Sequence, residues 1–185
     1  MAAVADLEAI IGPPTVTPPP VDWAEIERLS GLVFPADYKE LTRRYAALTV
    51  DAFLDVFHPG VPANPRKMLA QCQEVLAPLR QLTDGRDGID LIDDNRTRTR
   101  AKPFPIHPEP CGLFPWGVSD NGDFCLWLTD PDPAVWSIVI TDGGLWWHHE
   151  GTLTDLLVGV LGRTFSCVKL PSSFPQGFGI EERRK

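Results

Sequence analysis

"CGLFPWGVSDNGDFCLWLTDPDP", from Cys111 to Pro133, packs three prolines, two tryptophans and four aspartates into one strand-like stretch. Its centre has a period of two: Phe124, Leu126 and Leu128 alternate with Cys125 and Trp127. Both halves of the alternation are apolar, which predicts a strand that is central or covered on both sides. Asn121-Gly122, between Asp120 and Asp123, supplies a tight bend, and Asp130–Pro133 reads as a turn.

Downstream, Trp136, Ile138 and Ile140 alternate with Ser137, Val139 and Thr141, a more one-sided strand. Thr141–Gly144 carries an Asp-Gly hairpin signal, and Leu145–Glu150 is the returning strand. Adjacent Trp146 and Trp147 must point to opposite faces. Trp147, in phase with Leu145, reads as the core member, and Trp146 as an exposed partner anchor. Thr152 then caps a helix with Asp155 three residues on. Leu153, Leu156, Leu157, Val160 and Leu161 share one face of it, and Gly162 ends it.

Upstream, Val4–Ile11 predicts a short helix, stopped by Gly12 and the prolines of "GPPTVTPPP" (Gly12–Pro20), an extended connector. Asp22 opens a second helix, with Glu25 three residues later, and Gly31 closes it. Pro35 starts a third, whose Tyr38, Leu41, Tyr45 and Leu48 share a face. Leu48–Phe57 reads as a strand. Arg66–Thr83 reads as a helix bent or shortened by Pro78. Thr83–Pro103 reads as a solvated loop whose acidic first half and basic second half can fold back on each other. The last twenty residues read as a tail over the surface with a frayed end. Helices, a strand, a helix, a meander and a closing helix define an α+β protein: a mixed or antiparallel sheet wrapped by N-terminal, middle and C-terminal helices. The expected organisation is an N-terminal helix and connector over 1–20, one domain over 21–165 and a packed tail over 166–185.

Composition narrows the function. The chain's 185 residues carry a net charge of −8. That balance argues against direct nucleic-acid binding and suits a basic protein partner. No apolar run approaches the ~18 residues of a membrane span, and no leader-like pattern is present, so a cytoplasmic protein is expected. Cys72, Cys111, Cys125 and Cys167 form no C-x-x-C pair and read as small buried apolar groups. The aspartates from Asp84 onward mimic a calcium loop, but the third position is Arg86 and the twelfth Asn95, so the pattern fails. No cofactor is expected.

Two stretches resemble the signatures of the SMI1/KNR4 group, the SUKH superfamily. "LSGLVFPADYKELTRRYAAL" (Leu29–Leu48) is similar to the N-terminal signature, a helix ending near Gly followed by an apolar-Pro step and an acidic-Tyr helix. "GLFPWGVSDNGDFCLWL" (Gly112–Leu128) is similar to the second, a Phe-Pro-aromatic-Gly step before a Gly-Asp turn and an aromatic strand. The likeness covers about Val21 to Phe165. It departs at Leu29-Ser30-Gly31, where the family has Leu-Gly, and in the Asp/Arg-rich Thr83–Lys102 loop. The resemblance implies a non-enzymatic binding scaffold, in bacteria often an immunity protein that neutralises a toxin, frequently a nuclease.

Three functions therefore stand at this level. The first is an immunity protein meeting a basic toxin domain through Asp120, Asp123, Asp130, Asp132 and Trp146. The second is a regulatory interaction protein with no toxin. The third is a metal-dependent hydrolase, which would need Asp120 and Asp123 to converge with His148 or His149.

Overall fold

The stretch from Phe124 to Leu128 is the middle of the sheet. In the computed structural model, which describes residues 2–61, 64–177 and 179–183, β6 (Phe124–Leu128) pairs antiparallel with β5 (Leu113–Ser119) and with β7 (Ser137–Thr141). Cys125 and Trp127 enter one apolar cluster and Leu126 a second, on the opposite face. Two covered faces are what the doubly apolar alternation requires.

β7 is covered on both faces as well, since Val139 and Thr141 are as buried as Ile138 and Ile140. The one-sided reading of that strand is corrected: a central strand of a covered sheet has no solvent face. β8 (Leu145–His149) returns through the expected turn, where Gly143 sits at φ +87.

The acid-then-base segment Thr83–Pro103 is not a loop. It folds back as β3 (Ile89–Ile92) and β4 (Arg98–Ala101), and Arg100 Nη1 lies 3.0 Å from Asp90 Oδ1 across the pair. Buried Ile89 and Ile92 anchor β3 in the core, and the exposed Asp90–Arg100 pair matches charge across to β4. β3 joins the sheet parallel to β8.

The segment read as one strand over Leu48–Phe57 is a hairpin of β1 (Ala47–Val50) and β2 (Leu54–Val56). Asp51 and Ala52 turn it at φ 53 and 50, a left-handed pair that Asp tolerates but Ala does not advertise. β2 pairs with β5 beside a bulge at Pro115–Gly117. A Cβ on Gly117 would lie 2.3 Å from the Asp55 carbonyl oxygen, so only glycine fits there. The end read as frayed supplies β9 (Ile180–Arg183), which pairs with β1. The sheet order is β4-β3-β8-β7-β6-β5-β2-β1-β9.

Helices lie on both sides. α1 (Val4–Ile11), α3 (Ala36–Arg44) and α5 (Leu153–Leu161) pack on one another. They cover the face carrying Trp127, Ile138, Ile140 and Trp147. α3 ends at Arg44, and Tyr45 and Leu48 continue the core in extended chain. α5 has the capping box formed by Thr152 and Asp155. α4 (Pro65–Thr83) covers the other face through Leu76 and Leu79, and packs on α2 (Trp23–Ser30). α4 runs through Pro78 to Thr83, so the proline does not shorten it. Pro78 is exposed, which leaves the freed carbonyl of the preceding turn open to water.

The core joins the two signature-like stretches. Phe34 contacts Phe114 at 5.4 Å and Trp136 at 5.6 Å, and Tyr38 meets Trp127 at 4.6 Å. Edge-to-face rings at such distances add to burial. Together these features define an α+β fold with five helices around a nine-stranded mixed sheet among the described residues.

Candidate functional site

The acidic candidates do not form one patch. Asp120 and Asp123 flank the β5–β6 turn, and Asp130 and Asp132 lie in the β6–β7 connection. These are opposite ends of β6, about 17 Å apart at ~3.4 Å per residue. Asp130 accepts from the Asp132 N–H at 2.9 Å, and Asp132 from the Ala134 N–H at 2.9 Å, so both shape their own turn. Asp120 is exposed, and its N–H donates to the Phe53 carbonyl at 2.7 Å.

Asp123 is buried at 3% exposure and is not available to a partner. It accepts from Ser119 Oγ at 2.7 Å and from Lys169 Nζ at 3.0 Å. Lys169 also reaches Asp142 Oδ2 at 2.8 Å. Trp146 is fully buried, packed with Leu76 and Leu79 and 6.0 Å from the Phe104 ring. Its reading as an exposed anchor is corrected, because α4 covers the face that Trp146 points to.

Nor do Asp120 and Asp123 converge with the histidines. His148 and His149 end β8, at the opposite end of the sheet from the β5–β6 turn. His148 Nε2 is 2.9 Å from Ser137 Oγ. His149 Nδ1 is 2.7 Å from Asp94 Oδ2, and its ring stacks on Trp147. Among the described residues, no group of three or more His, Cys, Asp or Glu is arranged to hold a metal ion. Cys72, Cys125 and Cys167 are buried as expected, but Cys111 is exposed at the start of the β5 segment.

The concave feature that does exist is a cleft of 540 Å³ between the first half of α4 and the β1–β2 hairpin. Met68, Cys72 and Val75 form its helical wall, Leu48 and Val56 its strand wall, and Phe114 and Pro115 part of its floor. Asp55, Glu74, Gln71 and Arg183 supply polar groups. Asp55 accepts from Thr49 Oγ1 at 2.6 Å, with Arg183 Nη2 3.9 Å away.

The buried titratable groups of the cleft are spent on structure. His58 is buried, with Nε2 2.9 Å from the Thr42 carbonyl and Nδ1 accepting the Gly60 N–H at 3.0 Å. That pattern fixes the neutral tautomer, and burial lowers its pKa. Burial pushes the Cys72 thiol up to about 12. The Tyr38 hydroxyl donates to the Phe57 carbonyl at 2.8 Å, and burial raises its pKa. The cleft therefore offers apolar contact with charge beside it rather than a poised base or thiolate. Its walls come from separate segments, so no sequence motif announces it. The one legible trace lies in α4, where Met68, Cys72, Val75 and Leu79 recur at helical spacing and form an apolar face.

No family model, no curated protein and no solved structure matches this chain.

Proposed function

We propose that the chain is a non-enzymatic protein-binding module of the SMI1/KNR4 kind, an immunity protein that neutralises a toxin by occupying a basic face of it. The observation that carries this reading is the apolar cleft at α4 and β1–β2, with Asp55 and Glu74 among its polar groups. A net charge of −8 complements a basic partner and speeds encounter with it. The proposed occupant is an apolar side chain on a basic segment of the toxin, seated between Val75 and Val56, with the neighbouring Lys or Arg directed to Asp55 and Glu74. An apolar anchor in a pocket with charge around it is the arrangement of interface hot spots. The mutual packing of the two signature-like stretches, Phe34 and Tyr38 on Phe114 and Trp127, supports the family reading.

The test is co-expression with toxins encoded beside this gene, followed by purification of the pair. Growth rescue and a co-purifying complex that Val75→Glu abolishes are expected. Failure to rescue from any neighbouring toxin overturns the immunity reading. A complex with a non-toxic regulator would replace it with the regulatory one.

A further inference from the structure

A second hollow, of 670 Å³, runs from the tip of the β3–β4 hairpin along the segment that follows α5. Its lining carries two guanidinium groups, Arg96 and Arg163, and the hydroxyls of Thr164, Ser166, Ser172 and Ser173. No Asp or Glu lines it, in a chain with 25 of them. The hollow is therefore rich in donors, although Asp94 and Asp123 stand close enough to its Cys167 to help raise that thiol's pKa.

Its donors are largely unspent. Arg28, Arg43, Arg44 and Arg100 each lie on a carboxylate. The Arg96 side chain has no partner among the described residues, and neither have the hydroxyls of Ser166 and Ser172. Arg163 is held in place by one bond, Nη2 donating to the Pro175 carbonyl at 2.8 Å, which leaves its other N–H groups free. The C-terminal end of α5 borders the hollow, and Arg96 and Arg163 have to outweigh its negative dipole. The N–H groups of Gly162, Arg163, Thr164 and Phe165 bond the carbonyls of Val158, Gly159 and Val160, which softens that end.

We propose that this hollow binds a small-molecule phosphomonoester. A phosphate dianion presents three oxygens in a tetrahedral fan, which two guanidiniums and serine hydroxyls can meet from several directions at once. A carboxylate carries a single charge on two coplanar oxygens, so it answers two guanidiniums and the hydroxyls around them less fully than a phosphate dianion does. The volume exceeds that of phosphate, and Phe165 and Val168 in the same lining give the organic part an apolar wall.

The experiment is calorimetric titration with inorganic phosphate, then with a hexose phosphate, against acetate at matched ionic strength. Saturable binding of both phosphates at one site, with none for acetate, is expected. Arg96→Gln should weaken phosphate about tenfold without moving the thermal unfolding midpoint, since Arg96 holds nothing else. Arg163→Gln should weaken it similarly. If that variant loses the Pro175 contact and unfolds, Arg96→Gln still decides. Absence of saturable phosphate binding, equal binding of acetate, or undiminished binding by Arg96→Gln overturns the proposal. A phosphoserine peptide binding more tightly than the hexose phosphate overturns the small-molecule assignment.

Discussion

Lys169 Nζ lies 3.0 Å from Asp123 Oδ1, a pair in which the two side chains are 9% and 4% exposed. Through Asp142 the same ammonium ties the β7–β8 turn to the β5–β6 turn. A contact between residues so far apart in sequence makes the segment after α5 a strap across one end of the sheet. Burial disfavours the charge on Lys169, but the two carboxylates outweigh it and hold its pKa above the ordinary value. Lys169→Met leaves Asp123 buried without its counter-ion and should cost about 3 kcal/mol, read from urea unfolding.

Acid should loosen the same clasp. Burial pushes the Asp142 carboxyl up, but Lys169 and the N–H groups of Gly144 and Leu145 more than offset this, leaving it at about 2. A folded pKa below the unfolded value of about 3.9 gives stability that is present above pH ~4 and lost as pH falls toward 2. Asp142 is half exposed, so the effect is screened. The stability difference between the wild type and Asp142→Asn should be present at pH 6 and shrink toward zero near pH 2.

Asp51 should hold the C-terminal strand in place. Its carboxylate accepts the N–H groups of Gln176, of Gly177 at 3.2 Å and of Gly179 at 3.1 Å, while its own N–H donates to the Gly179 carbonyl at 2.9 Å. Asp51→Ala should cost about 1–3 kcal/mol and open the chain at Gln176 and Gly177 to limited proteolysis. Asp51→Asn keeps an acceptor and tolerates the φ of 53, so it should cost less.

Native protein should show one reactive thiol. Cys111 is exposed, whereas Cys72, Cys125 and Cys167 are buried. Burial raises the pKa of the Cys72 and Cys167 thiols to about 12. A chromogenic disulfide reagent should titrate a single group before denaturant and four after it.

Cleft and surface charge should separate in binding kinetics. Val75→Glu should slow nothing in folding yet raise the dissociation rate of a partner at least about tenfold. Glu74→Lys should lower the association rate, with the difference fading at high salt. Reversal of Asp130 or Asp132, which do not line the cleft and bond the N–H groups of their own turn, should change neither by more than about twofold at ordinary salt.

Much of the fold was legible where local chemistry and tertiary demand agree. Thr152 and Asp155 mark the start of α5, and the doubly apolar Phe124–Leu128 run marks a covered strand, because both signals are short-range. The β1–β2 turn was hidden because Asp51-Ala52 adopts a left-handed pair without Asn-Gly or Gly. β3 and β4 were hidden by the charges around them, since the short Ile89–Ile92 run is buried by a sheet neighbour, β8, that comes from another part of the chain. Asp123 looked like surface because nothing near it in sequence names Lys169. Trp146 looked free because α4, the element that covers it, comes from another part of the chain.

Ribosomes deliver β1 long before β9, yet Ala47 pairs with Arg183. Throughout that interval the outer edge of β1 stays unpaired, and Arg183, part of the cleft, is missing. A nascent chain of this protein thus carries an open strand edge and an unfinished cleft until β9 docks on β1.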